Sequence, residues 1–131
     1  MIVLDSSAGV DYLLGKQPEA DWVEHQLDHA QWRLHAPHVF DVEVASAVRR
    51  LVLSRKVAVA DGAERARRLT ELPLRRYPHV QLLDRVWELH ATVTVADACF
   101  VALAEALNIP LVTTDRRLGR AAGLRIPIIT P

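Results

Sequence analysis

The stretch from Thr94 to Asp115 leaves a chain like this the fewest choices of fold. Between Val95 and Leu107 only Asp97 and Glu105 interrupt an apolar run. A helix that is apolar nearly all round belongs inside a protein, not on its surface. Thr94 followed three residues later by Asp97 is a helix-start signal. Asn108-Ile109-Pro110 ends the helix, because Pro cannot continue it and pushes its predecessor toward extended geometry. Leu111-Val112-Thr113-Thr114 then reads as a short buried strand with Asp115 at its carboxyl end. One acid thus opens a buried helix and another closes the next strand, where open α/β folds place their ligands.

The rest of the chain alternates in the same way. Ile2-Val3-Leu4 is a short, partly β-branched run that reads as a central first strand. Asp5-Ser6-Ser7 supplies three helix-capping residues before a helix from Ala8 to Leu14, which Gly15 stops. A second helix is expected over Glu19–His29, with Trp22, Val23, Gln26 and Leu27 near one face. Trp32–Ala36 reads as a strand, and Pro37 opens a third helix over about Val39–Arg55. A fourth helix is expected after Val59, capped by Asp61 and ending near Leu72-Pro73. Leu74–Tyr77 reads as a strand. His79–His90 has helical spacing, with Val80, Leu83, Val86 and Trp87 on one face. The last strand is Ile126–Ile129, and Pro127 within it points to a sheet edge. Strands alternating with helices imply a mainly parallel sheet covered on both faces, an α/β fold.

Length and composition narrow the function classes. At 131 residues the chain is read as one domain spanning 1–131. Acids and bases balance at 16 each, so no global positive field announces a nucleic-acid partner. One cysteine, Cys99, excludes an intrachain disulfide, and its apolar setting favours packing over nucleophilic chemistry. Met1–Asp5 lacks the basic and long apolar segments of a signal peptide. No apolar run reaches the roughly 20 residues of a membrane helix. A cytoplasmic protein without a membrane partner is the expectation. His25 and His29 stand four apart, but the glutamate of the zinc-protease motif does not follow His25, so both are assigned to a surface.

Four acids stand out. Right-handed crossovers bring the strand ends at Leu4 and Thr114 to one edge of the sheet, and Asp5 and Asp115 with them. Asp97 joins them if its helix starts on that side, and Glu43 lies in the first turns of an apolar helix. Each has a bland reading: Asp5 and Asp115 as helix caps, Asp97 as Thr94's capping partner, Glu43 as a first-turn acid, a role Asp41 claims equally. Convergence carries the argument. Like charges in one pocket repel unless a hard divalent cation with oxygen ligands, Mg2+ or Mn2+, holds them together. In the metal-free protein their pKa values are therefore expected above the usual carboxylate range.

A resemblance makes this more specific. Ile2-Val3-Leu4-Asp5-Ser6-Ser7-Ala8, Ala36–Val44 with Asp41 and Glu43, Asp97-Ala98 with Val101–Leu107, and Leu111–Leu118 resemble, in order and spacing, the motifs of PIN-domain ribonucleases, in particular VapC-type toxins. The resemblance implies a three-layer α/β/α PIN-like fold and metal-dependent hydrolysis of RNA by the toxin of a type II toxin–antitoxin pair. It places Asp5, Glu43, Asp97 and Asp115 on the catalytic positions, with Asp5 and Asp97 as the metal ligands. Ser6, Ser7 and Thr113 match the supporting hydroxyls. It further implies a small VapB-type antitoxin as partner, an RNA substrate and a homodimer. Two departures stand out. Ala96 replaces the aromatic common before the third acid, and Arg116-Arg117 follow the fourth, where some relatives carry a further acid. The first metal site is left intact, one metal ion or two stays open, and Arg116 and Arg117 are read as phosphate contacts.

Two other classes compete. A receiver-like phospho-acceptor domain also builds an acidic metal site on a parallel sheet, but it needs a lysine at a late strand end, and none follows Lys56. A catalytically silent, partner-binding PIN-like domain would keep the shape without the acids. Phosphatases with a paired-acid motif are disfavoured because Ser7 holds the second acid's place.

Overall fold

A computed structural model describes residues 1–131. Strands β1 (Ile2–Leu4), β2 (Leu34–Pro37), β3 (Leu74–Tyr77), β4 (Leu111–Val112) and β5 (Ile128–Ile129) form one sheet in the order β3-β2-β1-β4-β5. Every neighbouring pair is parallel. The helices are α1 (Ser6–Leu14), α2 (Glu19–His29), α3 (Val39–Leu53), α4 (Val59–Leu69), α5 (Leu83–Glu88) and α6 (Val95–Leu107). From β1 to β3 the chain steps along the sheet in one direction, then α5 and α6 carry it back past β1 to β4. Because parallel crossovers are right-handed, that reversal puts α5 and α6 on the face opposite α1–α4. The result is a three-layer α/β/α sandwich whose strand order reverses between β1 and β4, and such a reversal opens a crevice at the strands' carboxyl ends.

The packing follows from the residue pattern. All of β1 is buried, as befits the central strand, and α6 is buried without a break from Ala98 to Ala104. Phe40 of α3 meets Phe100 of α6 edge-on at 6.4 Å between ring centroids. Gly9 lets α1 approach α3, since a Cβ there would stand 2.7 Å from the Phe40 ring. Gly15 at φ 65 and Asn108 at φ 51 end α1 and α6 in the left-handed conformation, which these two residue types adopt most readily. No helix is long and apolar enough to cross a membrane.

Several boundaries differ from the sequence reading. Asp5 caps α1 directly, so the helix starts at Ser6 rather than Ala8. Strand β2 starts at Leu34 because Gln31 and Trp32 have positive φ, with the Trp32 indole donating to Asp28 at 2.8 Å and lying edge-on to Tyr12. Asp61 is not a cap: Ala58 holds that position, and α4 ends at Leu69. Strand β5 is only Ile128–Ile129, although it does form a sheet edge. The helix expected over His79–His90 is a 3-10 turn at Val80–Leu82 followed by α5. Of the four residues assigned to one face only Val86 is buried, whereas Trp87 is 68 % exposed and Val80 and Leu83 are also exposed. The change of helical pitch breaks the periodicity that had aligned them.

A charged clamp holds α5 to α6. Arg85 donates to both carboxylate oxygens of Glu105 at 2.7 and 3.0 Å and to the Gly123 carbonyl at 2.9 Å. The Arg125 backbone N–H also donates to Glu105. Burial pushes the Glu105 carboxyl up, but Arg85 and Arg125 outweigh it and hold it below the usual range. A depressed carboxyl adds stability that is present above its unfolded pKa and lost as pH falls through the folded one. Arg85→Ala is expected to destabilise the fold by about 2 kcal/mol at neutral pH. In urea titrations that deficit should shrink as pH falls below about 4; a deficit constant with pH would mean that the lost contact is packing alone.

Candidate active site

The crevice between β1 and β4 is built around Asp5. Its position directly after β1 makes it the N-cap of α1, and it is 2 % exposed. Three donors converge on one oxygen, Oδ2: the Ser7 N–H at 3.3 Å, the Ser7 hydroxyl at 2.5 Å and the Thr113 hydroxyl at 2.7 Å. The two hydroxyl oxygens lie 3.0 Å apart. Each also accepts a backbone N–H from the loop after β4, Ser7 from Thr114 at 3.2 Å and Thr113 from Asp115 at 3.0 Å. With both hydroxyl protons directed at Asp5, the arrangement suits an ionised carboxylate, which can only accept. The other oxygen, Oδ1, is buried and has no partner. Burial raises the Asp5 pKa, the Ser7 and Thr113 hydroxyls pull it down and the nearby Asp97 charge pushes it up, for a net rise.

Glu43 reaches the same crevice from α3. The Ser6 hydroxyl donates to its Oε2 at 2.9 Å, so consecutive serines serve different acids. Burial raises Glu43 above the usual range; Ser6 opposes this, the Asp5 and Asp97 charges add to it, and Arg50 lowers it. Asp41, its rival in the sequence, is instead gripped by Arg76 of β3, whose guanidinium donates at 2.7 and 2.8 Å. That bidentate pair removes Asp41 from the site.

Asp97 and Asp115 complete one cavity of about 540 Å³ with Asp5 and Glu43. Both are already engaged. The Thr94 hydroxyl accepts the Asp97 N–H at 3.1 Å and donates to Asp97 Oδ2 at 2.7 Å, a reciprocal cap of α6. Asp115 accepts the Arg117 N–H at 2.8 Å on Oδ1 and the Arg117 guanidinium at 2.8 Å on Oδ2. Arg117 holds Asp115 below the usual carboxylate range. The expectation that all four acids would be raised is therefore wrong for Asp115. Nor do three or more of the acids form a cluster ready to hold a metal ion. Repulsion between like charges and the bonds to Thr94 and Arg117 account for that spacing.

Arg117, read as a phosphate contact, is paired with Asp115 in this structure while its side chain stays 90 % exposed, and Arg116 is exposed as well. Two residues that sequence reasoning passed over line the acidic cavity. Arg50 lies seven residues, or two helical turns, after Glu43, and that spacing was the signal for it. Asp11, four residues after Ser7 on α1, accepts the Thr114 hydroxyl at 2.7 Å and fastens the same loop. Cys99 is buried, and burial pushes its thiol pKa up, as for an inert packing residue. His25 and His29 are exposed.

Comparison with known proteins agrees with the geometry. The family described as PIN domain matches residues 2–124. Ribonuclease VapC9 of Mycobacterium tuberculosis is 43% identical over 128 residues, which is 98% of this chain and 96% of the relative. Ribonuclease VapC12 of the same organism is 40% identical over 94% of this chain and 93% of its own length. Among solved structures, M. tuberculosis VapC20, a sarcin-ricin loop cleaving toxin, superposes with a TM-score of 0.70 at 15% identity, covering 95% of this chain and 97% of that one. VapBC2 from Rickettsia felis, bound to a DNA fragment from its promoter, gives 0.70 at 16% identity over 99% of this chain and 98% of that one. The parallel sheet, the crevice at its reversal and the full-length similarity agree: the chain belongs to the PIN domain family, and within it to the VapC-type ribonucleases.

Proposed function

We propose that this chain is the toxin of a type II toxin–antitoxin pair, an endoribonuclease that hydrolyses RNA phosphodiester bonds in the cytoplasm with Mg2+ or Mn2+. The observation that carries the metal is Asp5 Oδ1. A buried carboxylate oxygen without a partner demands an explanation, and here its residue lines a cavity together with four more carboxylates, those of Asp11, Glu43, Asp97 and Asp115. An all-oxygen donor set suits a hard divalent cation. Asp5 and Asp97 would hold the ion, with Glu43 and Asp115 beside it. When bound, such an ion acidifies water and neutralises charge on a phosphoryl group.

The protein's own groups have distinct tasks. Ser7 and Thr113 occupy Oδ2 of Asp5, so Oδ1 is the atom left to bind. Ser6 orients Glu43 through Oε2, and the raised pKa of Glu43 brings it closer to the range where a carboxyl moves protons at neutral pH. Arg50, on the same face of α3 as Glu43, is placed to take a non-bridging phosphate oxygen. Arg117 has a choice of anions: a phosphate arriving at the site competes with Asp115 for its guanidinium.

The reading includes an antitoxin partner. VapBC toxin–antitoxin structures from R. felis and Salmonella typhimurium share the fold. A cationic side chain from such a partner, laid into the acidic cavity, would replace part of the metal's charge and block it. A silent partner-binding domain remains the rival class, and activity decides between them.

The purified protein is expected to cleave structured RNA in Mg2+ or Mn2+ and to stop in excess chelator. Asp97→Asn should abolish cleavage, and the metal should raise the melting temperature of the parent more than that of the variant. Cleavage undiminished in chelator would overturn the metal mechanism; absence of cleavage with either metal on total RNA would favour the silent domain.

Arg50→Ala is expected to raise KM for RNA roughly tenfold, about the worth of one charge-assisted hydrogen bond, with metal binding by calorimetry unchanged. An unaltered KM would remove Arg50 from the substrate contacts.

A further inference from the structure

A second cavity opens on the far side of Asp97 and Asp115. Its volume is about 490 Å³, and His90, Asp97, Asp115 and Arg117 are among its walls. That is within the range of small-ligand sites, roughly 300–1,000 Å³. Asp97 and Asp115 line both cavities, so the two adjoin at these carboxylates. A chain lying across the acids would leave its next residue in this second cavity.

One lining residue, His90, has a setting unusual for a surface. His90 stacks on Trp87 with ring centroids 4.7 Å apart and planes 12° from parallel. His90 Nδ1 lies 2.6 Å from the Trp87 carbonyl oxygen. A carbonyl oxygen only accepts, so Nδ1 carries the proton and Nε2 is left to face a ligand. The ring is therefore fixed in both orientation and tautomer while remaining exposed. Trp87, 68 % exposed, has no core to fill; its observed contact is to cover one face of His90. A flat aromatic pair held rigid in water beside a cationic side chain is the chemistry that binds nucleobases, each of which offers a π-face to stack.

We propose that the cavity bounded by His90 and Arg117 is a nucleoside subsite: it takes one unstacked base of a single-stranded RNA segment next to the cleaved phosphate. The base lies against His90, which Trp87 backs from its other face, Nε2 of His90 bonds a 2′-hydroxyl, and Arg117 meets the adjoining phosphate. This rests on the ribonuclease reading for the identity of the strand, but the binding itself needs no cleavage. A base inside an A-form duplex has both faces covered, so the subsite selects unpaired RNA.

The chain has three tryptophans, and hence three indole N–H signals in a 15N-labelled sample. Trp87→Phe assigns one of them without touching the core. In chelator, a short single-stranded oligoadenylate is expected to shift the Trp87 signal and leave those of Trp22 and Trp32 in place. His90→Ala, at an exposed position, should abolish the shift, and the same strand in duplex form should not produce it. With metal, His90→Ala should raise KM at least several-fold while kcat changes less. A Trp87 signal that stays put while anisotropy reports bound RNA would overturn the subsite, as would a shift that survives His90→Ala. A shift caused by antitoxin peptide but not by RNA would make this a protein-docking face and overturn it too. RNA cleavage without the shift sinks only this subsite; the shift without cleavage in any metal sinks the ribonuclease reading instead.

Discussion

The buried carboxylate of Asp5 is the constraint on which the rest depends. Placing a charge where almost no solvent reaches is strongly unfavourable unless donors surround it. This fold supplies them from both ends of the chain: Ser7 from the first turn of α1 and Thr113 from the end of β4, 108 residues after Asp5. The same hydroxyls accept backbone N–H groups of the loop that carries Asp115. Satisfying one charge therefore ties the first helix to the fourth strand and sets where the last acid stands. All the donors crowd onto a single oxygen, which leaves its buried twin without a partner.

Topology explains why that crevice exists. The reversal of strand order between β1 and β4 separates the helices that follow these strands, and nothing of the fold fills the gap. The sequence lines it with acids, then restrains each acid differently. Asp5 and Glu43 are pushed up by burial, Asp97 is held by the helix cap it shares with Thr94, and Asp115 is neutralised by Arg117. Such tuning lets four carboxylates share a small volume without a net charge large enough to unfold it.

How much of this was legible beforehand depended on distance along the chain. The central strand, the buried helix α6 and the strand-end acids could be read because their signals are local: an apolar run, a cap, a Pro. The α/β/α layering followed from alternation and handedness alone. What could not be read was settled by partners far away in sequence. Asp41 and Glu43 are equivalent on paper until Arg76, 35 residues later, takes Asp41. That Arg117 turns back on Asp115 could not be seen from its place two residues later in the chain. Trp87 lines up with the buried Val86 on paper because helical periodicity was extended through a segment that begins as a 3-10 turn. Arg50 was overlooked among the arginines because its value lies in the cavity it borders, not in its neighbours along the chain.

The Asp115–Arg117 pair has a thermodynamic consequence. While the guanidinium holds that carboxylate, the cavity's full negative charge is not available to a cation. A phosphate that draws Arg117 away restores it. Binding of polyanion and of divalent ion are then linked through one side chain, and linkage is reciprocal: the factor by which RNA tightens the ion is the factor by which the ion tightens RNA. On the proposed reading, a divalent ion binds the resting molecule more weakly than it binds the complex with a polyanion.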